Sequence, residues 1–397
     1  MNRDNLPKIP DQEFEDRMRR VKQKMEDNSL DLLVLYSNRL DPSHVRYLSD
    51  VYPINESAAL VIPLQGDPIL CSGQACHAWS VFKSKVKDVR VLPEVGEVAG
   101  TEYEMEGQIG FSDLFKEMKD KYQVERVGTV GTLIFPQIIY HQLTDVFPDA
   151  DVVNAEALMY ELRVTKSPDE IACMRKAGNI LDHAFARAVE KIEPGWTELD
   201  IQAEIESAIL KAGAEKTAIA WDPMIPSGPE HTQLCMNLNS LRQVQESEII
   251  DLQAGATYEG YNAALCYPFV LGQIPDEIRD AVRVARDSMS AVLDRVRSGA
   301  TSKELNAAGR GVLERAGLAK YSPYGQVHSI GLLECESPWL PVDQDYKIVE
   351  GMTLAVDVFL FGMDWGSFRI ENTVVVTPDG RDLLTKFNQE NLSRITG

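Results

Sequence analysis

No run in this 397-residue chain approaches the stretch of about eighteen apolar residues that a membrane-spanning helix requires. The N-terminal stretch MNRDNLPKIPDQEFEDRM is polar and has none of the apolar region of a secretory signal. A cytoplasmic protein with no membrane partner is therefore expected. Basic residues are scarce, with 40 Lys and Arg against 61 Asp and Glu and a formal charge of −21. Such a charge repels phosphate backbones, so nucleic acid is not an expected partner. Cysteines are few and scattered. Cys71, Cys76, Cys173, Cys235, Cys266 and Cys335 form no CxxC pair, which excludes a disulfide framework and a zinc knuckle and leaves reduced thiols. Low-complexity segments and short-period repeats are missing as well.

The residues that are present describe an ordinary globular chain, 44% hydrophobic and 25% charged, long enough for two or three domains. Phe14, Met18, Val21 and Met25 recur at helical spacing, and DLLVLY (31–36) follows as a buried-strand run. AALVIP (58–63), PILC (68–71), VRVL (89–92) and RVGTVG (126–131) continue an α/β pattern to about residue 155. In ELRVTKSPDEIACMRKAGNILDHAF (161–185), Ser167, Pro168 and Glu170 make a capping box with proline at the first helical position. Thr197 opens a second helix and a third covers about 276–297. The strands EIIDLQ (248–253), YEGYNAALCYPFVLG (258–272), MTLAVDVFLF (352–361) and SFRIENTVVVT (367–377) stand between and after the helices, an α+β order.

Six motifs follow one another through the second half: LRVTKSPDEIACMRKA, PGWTELDI, ATYEGYNAAL, VHSIGL, VEGMTLAVDVF and FRIENTVVVTPDG. In that order, over about residues 160–380, they resemble the pita-bread fold of creatinase, aminopeptidase P, prolidase and methionine aminopeptidase. The first half more loosely resembles the smaller domain of creatinase and aminopeptidase P. The resemblance implies an α/β creatinase-type domain over 1–158 and an α+β pita-bread catalytic domain over 159–397. It also implies a homodimer in which one subunit's N-terminal domain closes the other's pocket.

Metallopeptidases of this fold hold two metal ions with two Asp, one His and two Glu, because adjacent hard cations need bridging carboxylates. Carried over residue by residue, those positions are Gln253, Ala264, His328, Asp357 and Glu371. A rival register through Asp251 and Asn262 has the same separation, but the Gly260–Tyr261 pair favours Gln253 and Ala264. At most one of the two Asp ligands survives. The reading therefore assigns no metal and no cofactor, although three remaining ligands could hold one ion.

Within the family, creatinase likewise lacks metal and has Ala at the second Asp position. The resemblance thus implies metal-independent cleavage of a C–N bond in a small nitrogenous molecule, by hydrolysis or elimination. The match breaks where creatinase binds its substrate. Cys266 and Asp357 stand at its two substrate-binding Glu positions, and its catalytic His falls near Cys235 or Met236, five residues after His231. Glu56 stands near its carboxylate-gripping Arg, so a substrate other than creatine is expected.

The expected catalytic residues are His328, Asp357, Glu371 and His231, since a neutral-range imidazole serves as general base and an acid stabilises developing positive charge. Cys266, Tyr267, Gln253, Trp221, Arg369 and Glu56 are the expected substrate-binding residues. Each also has a plainer reading. Asp357 and Glu371 can serve as partners for Arg369, Cys266 and Trp221 as core, and His231 as an ordinary loop residue. Two other functions stay open: an Xaa-Pro peptidase with an altered metal site, and a non-catalytic binding protein on the same fold.

Overall fold

Short apolar runs separated by turn residues build a six-stranded mixed sheet in the unit Ile9–Arg163. Its strands are β1 (Leu32–Ser37), β2 (Ala58–Pro63), β3 (Ile69–Ser72), β4 (Asp88–Val91), β5 (Arg126–Val130) and β6 (Asp151–Asn154), in the order β4-β3-β2-β1-β5-β6. β1 runs antiparallel to β2 and parallel to β5. Val34, Val61, Phe111, Phe115 and Leu143 are central to its core. The helix Asp11–Asp27 buries Phe14, Val21 and Met25 as its spacing predicts, but it buries Arg17 where Met18 was expected. The Arg17 guanidinium lies 5.0 Å from the Phe14 ring centroid and 4.3 Å from that of Tyr47, and Nη1 donates to the Tyr47 carbonyl. A satisfied, stacked guanidinium fills a core position that periodicity assigns to an apolar residue.

The computed structural model describes residues 6–97, 109–218, 221–234 and 236–397, so Cys235 lies outside the described residues. The second unit takes in Val164–Gly397. Its strands are β7 (Lys216–Thr217), β8 (Ile249–Tyr258), β9 (Tyr261–Val270), β10 (Val327–Ser329), β11 (Thr353–Met363), β12 (Gly366–Thr377) and β13 (Gly380–Leu383). They are ordered β10-β11-β12-β9-β8-β7, with β13 paired to β12. The helices Pro168–Lys191, Glu198–Lys211 and Ser302–Arg315 all begin with capping boxes, at Ser167–Glu170, Thr197–Asp200 and Thr301–Glu304. Pro168–Lys191 packs on β8 and β9, and the helix Asp276–Leu293 packs on β11. Among the described residues no helix is long and apolar enough to cross a membrane.

The stretch 258–272, read from sequence as one strand, is divided by a hairpin. Glu259 (φ 48°) and Gly260 (φ 85°) both have left-handed backbone, so two residues suffice to turn β8 into β9. This tight turn fixes the register, pairing Gln253 with Cys266. Cys266 also pairs with Glu371, and Glu371 with Asp357. Four residues from four strands therefore form one row across the sheet. Side chains alternate along a strand, so Asp251 and Arg369 share the face of that row and Tyr267 takes the other.

Candidate active site

The row Asp357–Glu371–Cys266–Gln253 is buried, and polar side chains without water must answer one another. Tyr324 donates to Asp357 Oδ2 at 2.9 Å and accepts from Arg369 Nη2 at 2.7 Å. Arg369 Nε lies 3.4 Å from Asp357 Oδ1, and its guanidinium carbon sits 4.8 Å from the Phe359 ring centroid. Gln253 donates to Asp251 Oδ2 at 2.7 Å, and its own carbonyl oxygen lies 3.4 Å from Arg369 Nη1. Asp251 also accepts from the backbone N–H of Arg369. The plainer reading of Asp357, as a partner for Arg369, thus holds geometrically. Burial pushes Asp357 up to about 6 against the pull of Arg369, and pushes Asp251 up to about 7.

His328 and Glu371 define the other half. The Nδ1–H of His328 donates to the Ser329 carbonyl at 3.1 Å, which turns Nε2 towards two acids. Nε2 lies 3.6 Å from Glu371 Oε1 and 3.8 Å from Glu334 Oε1. Glu371 Oε2 accepts from the Cys266 thiol at 3.1 Å, whereas Oε1 is buried with no hydrogen bond among the described residues. Burial alone would favour a neutral imidazole, but Cys335, Glu371 and Glu334 outweigh it and raise His328 well above its usual value. Burial pushes Glu371 up, and His328, Arg369 and Cys266 pull it below its ordinary range. Glu334 is pushed by burial up to about 7.

These donors decide which metal content fits. His328, Glu334 and Glu371 offer one ligand atom each within 4.8 Å of one another. A tetrahedral ion with ligand bonds of about 2.0–2.1 Å sets its donors about 3.4 Å apart, close to the distances from Nε2. A ligating histidine ordinarily donates its other ring N–H to a carbonyl or carboxylate, as His328 does to Ser329. One ion fits this half of the row. A second does not, because Ala264 presents a methyl group, Gln253 is engaged with Asp251 and Arg369, and a guanidinium already faces Asp357.

Other expected residues are placed elsewhere. His231 ends the short helix Gly228–His231, and its Nδ1 pairs with Glu198 at 2.9 Å, so its hydrogen bond goes outside the His328 cluster. Glu198 is fully buried and also accepts from the N–H and hydroxyl groups of Ser227 and Ser240. Tyr267 is corrected outright: it points to the opposite face, donates to the Asn391 carbonyl and packs edge-on against Phe387. Glu56 is also corrected. Its carboxylate accepts from the backbone N–H groups of Ala75 and Cys76 at the start of the helix His77–Lys83, a structural role within the N-terminal unit. Trp221 is buried, with an indole N–H lacking a hydrogen bond among the described residues.

Glu334, Tyr324 and Cys335 were not found from sequence. Tyr324 and Glu334 flank His328 by four and six residues in irregular segments, where no periodicity indicates direction. The only available signal was three ionisable side chains close behind VHSIGL, in ECE (334–336).

The model of metallopeptidase family M24 matches residues 172–378, and that of the creatinase/prolidase N-terminal domain matches residues 17–165. A probable dipeptidase PepE of Mycobacterium tuberculosis is 32% identical over 256 residues, 64% of this chain and 67% of the relative. An Xaa-Pro dipeptidase of Pyrococcus horikoshii is 24% identical over 382 residues, 94% of this chain and 98% of the relative. The crystal structure of the prolidase from Pyrococcus horikoshii OT3 superposes with a TM-score of 0.80 at 21% identity, covering 94% of this chain and 98% of that one.

Proposed function

The chain belongs to metallopeptidase family M24, and from that premise we propose that it hydrolyses an amide C–N bond in small peptides, at a site with one metal position where the family's peptidases have two. The relatives' names, Xaa-Pro dipeptidase and dipeptidase PepE, support a peptide substrate. They overturn the expectation of a metal-independent, creatinase-like enzyme, which rested on the missing Asp ligands. The observation carrying the one-metal reading is the convergence of His328 Nε2 with Glu334 and the unsatisfied Glu371 Oε1.

His328, Glu334 and Glu371 would hold a transition-metal ion, which would supply Lewis-acid polarisation of the amide and of water. The chain's own groups do the rest. Ser329 fixes the imidazole, and Cys266 occupies Glu371 Oε2 so that Oε1 stays open. Arg369 Nε and Asp357 Oδ1 face each other at 3.4 Å and have no hydrogen bond among the described residues, so the polar groups of a bound peptide can compete for them. Arg369 can stabilise the negative charge that develops as the amide is attacked.

The test is a panel of dipeptides assayed for release of the C-terminal amino acid. Cleavage of Ala-Pro or another dipeptide, abolished by chelator and restored by a divalent transition metal, is expected. A metal-reloaded protein inert on every dipeptide would contradict the proposal.

A further inference from the structure

Trp339 is the largest apolar side chain left half open beside the site, at 50% exposure, while its neighbour Leu340 is fully buried. Its indole stacks on the His328 imidazole at an interplanar angle of 8° and a centroid separation of 5.4 Å. An indole held parallel to a buried imidazole spends one face on that ring, and the exposure shows that much of the rest is uncovered.

The placement is built in. Leu340 has left-handed backbone (φ 56°), unfavourable for a bulky residue and tolerated only where surroundings enforce it. Those surroundings are specific. The Pro338 carbonyl accepts from the Ser329 N–H, and the Leu340 carbonyl accepts from Asn306 Nδ2. Glu336 is paired at 2.7 Å with Lys166, both side chains being almost fully buried. A segment fastened on both sides of one half-exposed tryptophan positions that tryptophan. Core packing does not account for it, because half the ring surface is outside the core.

We infer that Trp339 is the specificity wall of the site, taking an apolar ring or a bulky apolar side chain adjacent to the amide bond that is cut. This rests on the peptidase reading for the bond concerned, whereas the apolar contact follows from the ring itself. A rigid aromatic surface loses little conformational entropy on contact and gains the burial of apolar area. Unlike the acids around it, it discriminates by shape and hydrophobicity, so its loss should affect bulky and small ligands differently.

Wild type, Trp339→Phe and Trp339→Ala are compared with Ala-Pro and Ala-Gly. KM for Ala-Pro should rise about tenfold in Trp339→Ala, the worth of roughly 60 Å² of apolar contact, and recover in part in Trp339→Phe. KM for Ala-Gly should stay within about twofold, and kcat should change little for either peptide. The indole N–H resonance of Trp339, identified by its loss in Trp339→Phe, is followed in the same titrations of metal-depleted protein and should shift with Ala-Pro more than with Ala-Gly. A shift without turnover would keep the wall while removing the peptidase reading. Equal losses for both peptides, or turnover with no shift at Trp339, would overturn the wall and leave the peptidase reading standing. Neither turnover nor shift would overturn both.

Discussion

Glu371→Gln is expected to weaken metal binding by more than a hundredfold and to lower kcat/KM at least as much. Changes in groups that merely orient ligands already cost about 10–100-fold, and Glu371 supplies a donor atom itself. The substitution is nearly isosteric, and the amide oxygen can still accept from Cys266, so the strand pairing with Asp357 and Cys266 should survive. What changes is Oε1, the buried oxygen that faces His328 and has no hydrogen bond among the described residues. Dipeptide kinetics and metal titration on the folded variant check this. Activity within a fewfold of wild type would remove Glu371 from the donor set.

Lys166→Met should be strongly destabilising, at about 3–5 kcal/mol. The Lys166 and Glu336 side chains are 2% and 1% exposed and 2.7 Å apart, so the substitution removes the cation that faces a buried carboxylate. Glu336 also pairs through its backbone with Ser329, next to His328, so the loss should loosen the segment that carries Glu334 and Trp339. Urea denaturation measures the cost. The pair Lys166→Met with Glu336→Leu should recover much of it, since the second substitution also removes the buried carboxylate. A loss under about 1 kcal/mol would mean that the pair is hydrated in solution.

The parts of this architecture governed by local rules were legible in the sequence. Capping residues at Ser167 and Thr197 mark helix starts because the exposed N–H groups of a first turn need acceptors wherever they occur. The strands could be read from their apolar runs, whereas Gln253, Cys266, Asp357 and Glu371 were named through the family resemblance and are set in one row only by the strand pairing. Direction in irregular backbone could not. Glu334 and Trp339 reach His328 through a segment whose course depends on Ser329 and on Lys166 and Asn306, the last two distant in sequence from their partners. Tyr267 shows the converse error: it lies next to Cys266 in a site strand and was expected to bind substrate, but strand parity sends it to the opposite face. The metal-independent reading failed for a related reason. It counted missing ligands at inherited positions, and the peptidase relatives overturn it.

Metal content per chain tests the central claim most directly. Protein stripped with chelator, reloaded with zinc, manganese or cobalt and freed of excess ion should retain one ion per chain with at least one of these metals, and Glu334→Gln should retain markedly less. Two ions per chain would show that Gln253, Ala264 and Arg369 do not prevent the paired site. No retained ion with any of the three metals would contradict the site built on His328, Glu334 and Glu371.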